Sequence, residues 1–335
     1  MDKEFKNNLL VSSVPHIVTD VDTQKTMMMV LIALAPALVV STVVFGPRVL
    51  LLTAICIVCS MAFEWIWNKL MHKEQTAMDL SAALTGTLIA FNVPAGLPIW
   101  IAILGCFIAI IIIKQLFGGI GKNLVNPAIT ARVVLFISFA TQMTTWPLPR
   151  AQVTADATTG ATPLGVLAEG GDKLPDLGQL FIGNIGGSMG EVSAIALLVG
   201  GVFLVWKKII SPIIPACFIG TVFVFALIYY AAAGVPDCAE GYTVIGMALF
   251  HVFAGGVMLG AIFMATDYVT SPTLPLGKVI FAVGCGLLTM IIRLWGQYPE
   301  GVSFSILLMN ILTPLIDNFA MKQQIKKYEK KEGAK

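Results

Sequence analysis

The chain has 335 residues, of which 57% are hydrophobic and 12% charged, with a mean hydropathy of +0.87 and a net charge of +2. Even large soluble folds keep a polar shell, so no soluble domain of this length hides so much apolar surface. The composition therefore indicates an all-α polytopic membrane protein, and its continuous rather than alternating apolar runs exclude a β-barrel.

Residues 1–26 read as a cytoplasmic N-terminal segment, with SSVPHIVTDVDTQKT (Ser12 to Thr26) irregular or lying on a surface. No cleavable signal peptide is expected: the first apolar run starts near Met27 after mixed charge, and no small-residue cleavage site follows. Ten apolar runs then predict about ten transmembrane helices, at roughly 27–46, 48–68, 77–93, 97–117, 126–141, 191–206, 211–233, 244–265, 277–295 and 302–320. They divide the chain into a first five-helix set (27–141), a polar loop rich in Gly, Pro and Thr (142–190), a second five-helix set (191–320) and a basic tail (321–335). With the N-terminus in the cytoplasm, 16 of the 21 Lys and Arg residues fall inside, four fall outside, and Arg132 lies within the fifth run. That bias predicts both termini cytoplasmic and the 142–190 loop extracytoplasmic and exposed.

The two sets carry a repeat. WIAILGCFIAIIIIK, ending at Lys114, and VIFAVGCGLLTMIIR, ending at Arg293, align Gly105 with Gly284, Cys106 with Cys285 and Lys114 with Arg293 at a constant offset of 179. Upstream, LIAFNVPAGLP resembles FMATDYVTSPTLP, so Asn92 and Asp267 hold similar places at Pro-broken helix ends. Runs five apart cross in opposite directions, which predicts a 5+5 inverted repeat of the kind found in transport folds.

The outward loop contains DATTGATPLG (Asp156 to Gly165). Asp156, Thr159, Gly160, Ala161 and Thr162 resemble the Asp-x-x-Ser/Thr-Gly-Ala-Ser/Thr signature of proteins flavinylated by the extracytoplasmic flavin transferase. The resemblance implies that Thr162 carries FMN through a phosphoester, with Asp156 and Thr159 read by the transferase and Gly160 and Ala161 keeping the turn small. A Thr-rich β-turn is the plain alternative. Further motifs extend the likeness along the chain: SSVPH, KQLFGGIGKNLVNPA, GGSMGEVSA, FMATDYVTSP and LWGQYPEGVSFSILLMNILTPLID. Together they resemble the D subunits of Rnf ion-translocating electron-transport complexes, relatives of the B subunits of sodium-pumping NADH:quinone reductases. The short lead-in before the first span favours the former. The resemblance implies a component of a redox-driven translocase in the cell membrane, inactive alone, that relays electrons between ferredoxin and NAD through covalent FMN. It also implies room for a non-covalent riboflavin, coupled transport of Na+ or H+, and partners among the other membrane and peripheral subunits. A channel or secondary transporter is the alternative from a different class, suggested by the repeat alone. No nucleic-acid partner, metal site or catalytic residue is expected in this chain.

Other residues carry two readings. Ser188 and Glu191 have the spacing of a capping box before the sixth run, and Gly187 with Ser188 would form an anion-binding nest there. Glu64, Asp79, Lys114, Arg132, Asp267, Arg293 and Asp317 lie in or beside apolar runs, where charge is costly. Asp267 and Asn92 are the candidate ion-pathway residues; for Asp267 a capped helix end, or an ion pair with a neighbouring subunit, is the alternative. Cys56 and Cys59 read as packing residues. Cys106 and Cys285 lack the further thiolates that an iron–sulfur centre needs. His251 reads as a helix–helix hydrogen bond.

Overall fold

The computed structural model describes residues 22–153, 159–170, 174–239, 241–296, 298 and 300–332. Helix α1 (Thr23–Phe45) begins at Asp22, whose carboxylate accepts the Thr23 N–H at 2.7 Å, and ends at Gly46. Helix α2 (Arg48–Leu70) follows directly. Each has 23 residues, which at the helical rise is about 34 Å and matches a hydrocarbon core of about 30 Å. Helix α3 (Ser81–Phe91) has only 11. Helix α4 spans Ile99–Gln115, its second half wound as a π-helix, and α5 is Pro127–Ser138. Asn126 starts α5: its Oδ1 accepts the Ala128 and Ile129 N–H groups at 3.0 and 3.3 Å, and Pro127 supplies a ring-fixed φ at a position whose N–H is not needed.

The 142–190 segment is not a bare surface loop. It holds α6 (Ala140–Thr144) at its entrance, then β1 (Trp146–Pro147) paired antiparallel with β2 (Thr159–Gly160), α7 (Pro163–Glu169) and α8 (Leu177–Ile182). The second set comprises α9 (Ala194–Trp206), α10 (Ile213–Ala233), α11 (Val244–Phe253), α12 (Val257–Met264), α13 (Pro275–Trp295) and α14 (Val302–Glu332). Helices α1, α2, α10, α13 and α14 are long and apolar enough to cross a membrane, and α11 with α12 makes a sixth unit bent by 61° at Gly255–Gly256. Helices α3, α4, α5 and α9 are shorter apolar pieces. The protein is a multi-pass helical membrane protein; each of the ten apolar runs contains helix, though the run at 244–265 is broken into α11 and α12 and that at 77–93 is α-helical only over Ser81–Phe91.

Helix α1 packs on α9; α2 packs on α3 and α4 as α10 packs on α11 and α13; α4 meets α5 as α13 meets α14; and α5 touches α14. The α1–α2 turn, the α3–α4 turn and the long loop gather at one end. Arg48 donates to the Gly96 and Leu97 carbonyls at 3.2 and 3.3 Å, and the Arg150 N–H donates to the Val44 carbonyl at 2.9 Å. At the other end Lys114 donates to both Glu64 oxygens at 2.9 and 2.8 Å and to Ser81 Oγ at 2.7 Å. Gln115 and Thr76 donate to the same carboxylate. Glu64 is fully buried, so this saturation is what permits a charge there. Near that end Asp317 accepts the Thr273 N–H at 3.2 Å.

Candidate functional site

Thr162 stands in extended conformation (φ −69°, ψ 157°) as the N-cap of α7, its Oγ1 accepting the Gly165 N–H at 3.1 Å. The pairing of Trp146 with Gly160 and of Pro147 with Thr159 fixes the approach to it. Gly160 lies close to Leu148: a Cβ built there would come within 2.8 Å of Leu148 Cδ2. Thr159 and Ala161 are exposed, but Thr162 itself is only 7% exposed. The sequence predicts a loop exposed throughout; instead its key hydroxyl faces inward, because α7 packs Leu164 onto the core. Asp156 lies outside the described residues.

A small pocket opens at Thr162, lined also by Gly186, Gly187, Glu191, Gly255 and Glu300. Its floor is ionic. Arg132 of α5 donates from Nη1 to Asn92 Oδ1 at 2.8 Å and to Glu191 Oε1 at 3.1 Å, and its Nη2 pairs with Glu300. Four chain segments therefore meet at one guanidinium. Burial pushes the Glu300 carboxyl up to about 7, the neighbouring Glu191 adds to the rise, and Arg132 and Arg293 oppose it. Beyond Gly255, Arg293 donates to the His251 and Ala254 carbonyls at 2.5 and 3.0 Å. A cation there satisfies the carbonyls left free at the end of α11.

The Ser188–Glu191 capping box is not formed. Helix α9 begins at Ala194, capped by Ser193, whose Oγ accepts the Ala196 N–H at 3.4 Å. Ser188 is buried with no partner for its hydroxyl among the described residues, and so does not sit at a helix N-terminus. The reason is a competing pairing. Helix α3 is about 16 Å long, too short to span, and its freed carbonyls take N–H groups from this segment. Met189 donates to the Val93 carbonyl at 3.3 Å and Gly190 to the Phe91 carbonyl at 2.8 Å. A Cβ at Gly190 would come within 2.5 Å of Phe91 Cβ, so only glycine allows this approach. Irregular backbone at such depth is tolerated where protein buries it. Gly187 does line the Thr162 pocket.

Asn92 and Asp267 serve different places. Asn92 is buried, donates to the Leu88 carbonyl at 2.6 Å and accepts from Arg132. Asp267 follows α12 and accepts the Thr270 hydroxyl at 3.0 Å. Burial raises its carboxyl pKa, while Thr270 and the Val269 and Tyr268 amides lower it. It lines a second cavity, between the two helix sets, together with Lys114, Asn126 and Thr266. His251 shares a 2.9 Å hydrogen bond with Tyr230 of α10, the helix–helix link expected for it. Cys106 rests its thiol 3.6 Å from the Cys56 carbonyl, Cys285 is buried in α13, and no three metal-ligating side chains assemble among the described residues.

Residues 10–326 match the NQR2, RnfD, RnfE family. The chain belongs to that family. This NQR2, RnfD, RnfE family member is 46% identical over 321 residues to the D subunit of the Na(+)-translocating ferredoxin:NAD(+) oxidoreductase complex of Acetobacterium woodii, an alignment covering 94% of this chain and 95% of that protein. Its identity to the D subunit of the proton-translocating ferredoxin:NAD(+) oxidoreductase complex of Clostridium ljungdahlii is 42%, over 94% and 95% of the two chains. To the D subunit of the ion-translocating oxidoreductase complex of Stutzerimonas stutzeri it is 39%, over 88% and 89%. The family member's charged cluster is the part that sequence reasoning misses: Glu191 reads as half of a cap, and nothing local singles out Glu300. Arg132, a lone cation inside an apolar run, is the available signal, since such a group must find carboxylates somewhere.

Proposed function

We propose that this chain is the flavin-carrying membrane component of an ion-translocating ferredoxin:NAD oxidoreductase complex of the Rnf type. In this reading FMN is esterified to Thr162, electrons pass through it, and their passage is coupled to transport of Na+ or H+. The observation that carries the reading is the setting of Thr162 in TTGATPLG: a capped, buried threonine over a pocket lined by Gly186, Gly187, Glu191 and Glu300, whose two carboxylates are paired with Arg132.

The residues fit the group. An ester oxygen keeps a lone pair, so the Gly165 N–H retains its acceptor after attachment. Gly187 borders open space, where a phosphodiester would lie; Arg132, paired with both lining carboxylates, and Arg293, behind Gly255, are the nearby cations. When bound, FMN supplies a centre that takes up one or two electrons. The chain's own part is to tether it, shield it from water and hold compensating charge.

The finer topology belongs to the same proposal. Ten spans in a 5+5 inverted repeat account for the matching neighbour pattern of the two helix sets. Both termini would be cytoplasmic, with the Thr162 loop on the extracytoplasmic side, where a flavin transferase reaches it. The partners are the other membrane and peripheral subunits, which would bring electrons across about 30 Å of hydrocarbon. Asp267, on the second cavity, is the ion-pathway candidate. The test is in-gel fluorescence of the denatured chain: wild type should glow yellow-green, Thr162→Ala should not. Full fluorescence in Thr162→Ala would refute the attachment.

A further inference from the structure

A cavity of about 330 Å3 lies beside the Thr162 pocket, between α7, α10, α11 and α13. Leu164 lines both spaces. The walls of the larger one include Leu167, Tyr229, Tyr230, His251 and Arg293. Its size falls in the range of small-molecule sites, about 300–1,000 Å3.

Three features mark it as built for a flat, partly polar ring. The first is aromatic. The Tyr229 and Tyr230 rings meet edge-on at 5.1 Å, and His251 stacks on Tyr230 at 5.6 Å with planes 23° apart. The second is a pair of unfilled polar atoms. His251 and Arg293, 1% and 7% exposed, both line the cavity, and among the described residues His251 Nδ1 and Arg293 Nε, occluded behind its wall, have no hydrogen-bond partner. The third is charge. Among the described residues no carboxylate pairs directly with Arg293, whose Nη atoms hold backbone carbonyls instead.

We propose that this cavity is an isoalloxazine site, filled by the ring of the flavin tethered at Thr162; the proposal rests on the attachment reading above. An isoalloxazine has an apolar dimethylbenzene edge and a pyrimidine edge of carbonyl oxygens and ring nitrogens. The first suits Leu164 and Leu167, the second the polar side chains of His251 and Arg293. The reach is right. Leu167 lies five residues beyond Thr162 on a short helix, about 7.5 Å along its axis, and a ribityl phosphate extends over such a span. Arg293 beside the pyrimidine edge favours the reduced ring, which gathers electron density there, and so raises its potential.

The test uses the full chain in its complex, co-expressed with the transferase. Two variants alter the cavity without touching the attachment turn: Ala168→Phe, at an exposed lining position, and Tyr229→Leu. In-gel fluorescence after denaturation reads attachment alone. Visible circular dichroism and iodide quenching of the native flavin read where the ring sits. The expected result is unchanged attachment, a reduced dichroic band and a severalfold rise in the iodide quenching constant in both variants. Tyr230→Phe, which breaks only the His251 link, should shift the flavin potential with attachment intact. If wild type shows no covalent flavin, the attachment reading fails. If flavin is attached but its dichroism and iodide access match wild type in both cavity variants, the ring lies elsewhere and the cavity proposal is overturned. Thr162→Ala supplied with riboflavin separates the sources: loss of the native dichroic band supports the tethered ring, and its persistence assigns the cavity to a free flavin and overturns the tether.

Discussion

Arg132 holds the site together, and removing it should be costly in a specific way. Its guanidinium is buried, Glu191 is 4% exposed on its side chain and Glu300 15%. Arg132→Met leaves two carboxylates facing a vacated centre and deprives Asn92 Oδ1 of its donor. Breaking a buried ion pair costs about 3–5 kcal/mol, and an orphaned buried acceptor adds about 1–3 kcal/mol. Proton uptake by Glu300, already poised near neutrality, recovers part of this. The net expectation is a loss of about 4 kcal/mol at pH 8 and clearly less at pH 5, where Glu300 is protonated. Arg132→Met with Glu191→Gln and Glu300→Gln removes the stranded charges, so the triple variant should lie within about 2 kcal/mol of wild type. Reversible unfolding in mixed micelles with rising SDS, followed by tryptophan fluorescence, measures all of these. A loss below about 1 kcal/mol for the single variant, or a triple variant as unstable as the single, would refute an electrostatic role for the cluster.

Thr162→Ser should keep covalent flavin, while Thr162→Ala loses it and about 1 kcal/mol of helix capping, read by in-gel fluorescence and SDS titration. Glu300 has its folded pKa raised from 4.5 to about 7; the folded state then binds the proton more tightly, so the site is most stable in acid and loses up to about 3 kcal/mol as pH rises from 4.5 through 7. Glu300→Gln should flatten that slope in thermal scans from pH 5 to 8. Asp267→Asn should keep flavin and assembly but lower ions moved per electron in reconstituted vesicles; an unchanged ratio returns Asp267 to the turn-capping role its bond to Thr270 already gives it. A cysteine replacing Thr154 should react with a membrane-impermeant maleimide in intact cells and one replacing Lys330 should not, and the reverse would overturn the charge-bias orientation.

Hydrophobic run length locates a helix in every run, because each run is bounded by Gly, Pro or charge, but not the break that splits 244–265 into α11 and α12. Trp295 followed by Gly296, and Asn126-Pro127 at the start of α5, are such boundaries. What the runs conceal is depth. Residues 77–93 look like one apolar run, yet only Ser81–Phe91 is α-helical, and the missing length is made up by chain from 186–193 far along the sequence. Local pattern carries no record of that partner. Gly190 and Gly183 are its faint trace, since each faces backbone or a ring too closely for any side chain. The site divides similarly. Thr162 is legible because its motif is local. Its pocket is not, because Arg132, Glu191 and Glu300 come from three places, the carboxylates lying 59 and 168 residues from the arginine.

The break between α11 and α12 explains why these parts form one site. Gly255 has φ +67°, a conformation that side chains resist. A Cβ there would lie 2.6 Å from Leu164 Cδ1 and 2.9 Å from Arg293 Nη2; one at Gly256 would lie 2.6 Å from Glu191 Oε1 and 3.6 Å from Arg132 Nη1. The two glycines thus admit the Thr162 helix and both arginines to the same bend. Arg293 supplies hydrogen bonds that α11 lost at its end. Charge placed at the Thr162 pocket therefore competes for guanidinium groups that the bent helix depends on, in surroundings where a unit charge is felt several times more strongly than in water. At the far end of α12 stands Asp267, on the second cavity. Helix α12, eight residues long, joins the glycine bend to that aspartate.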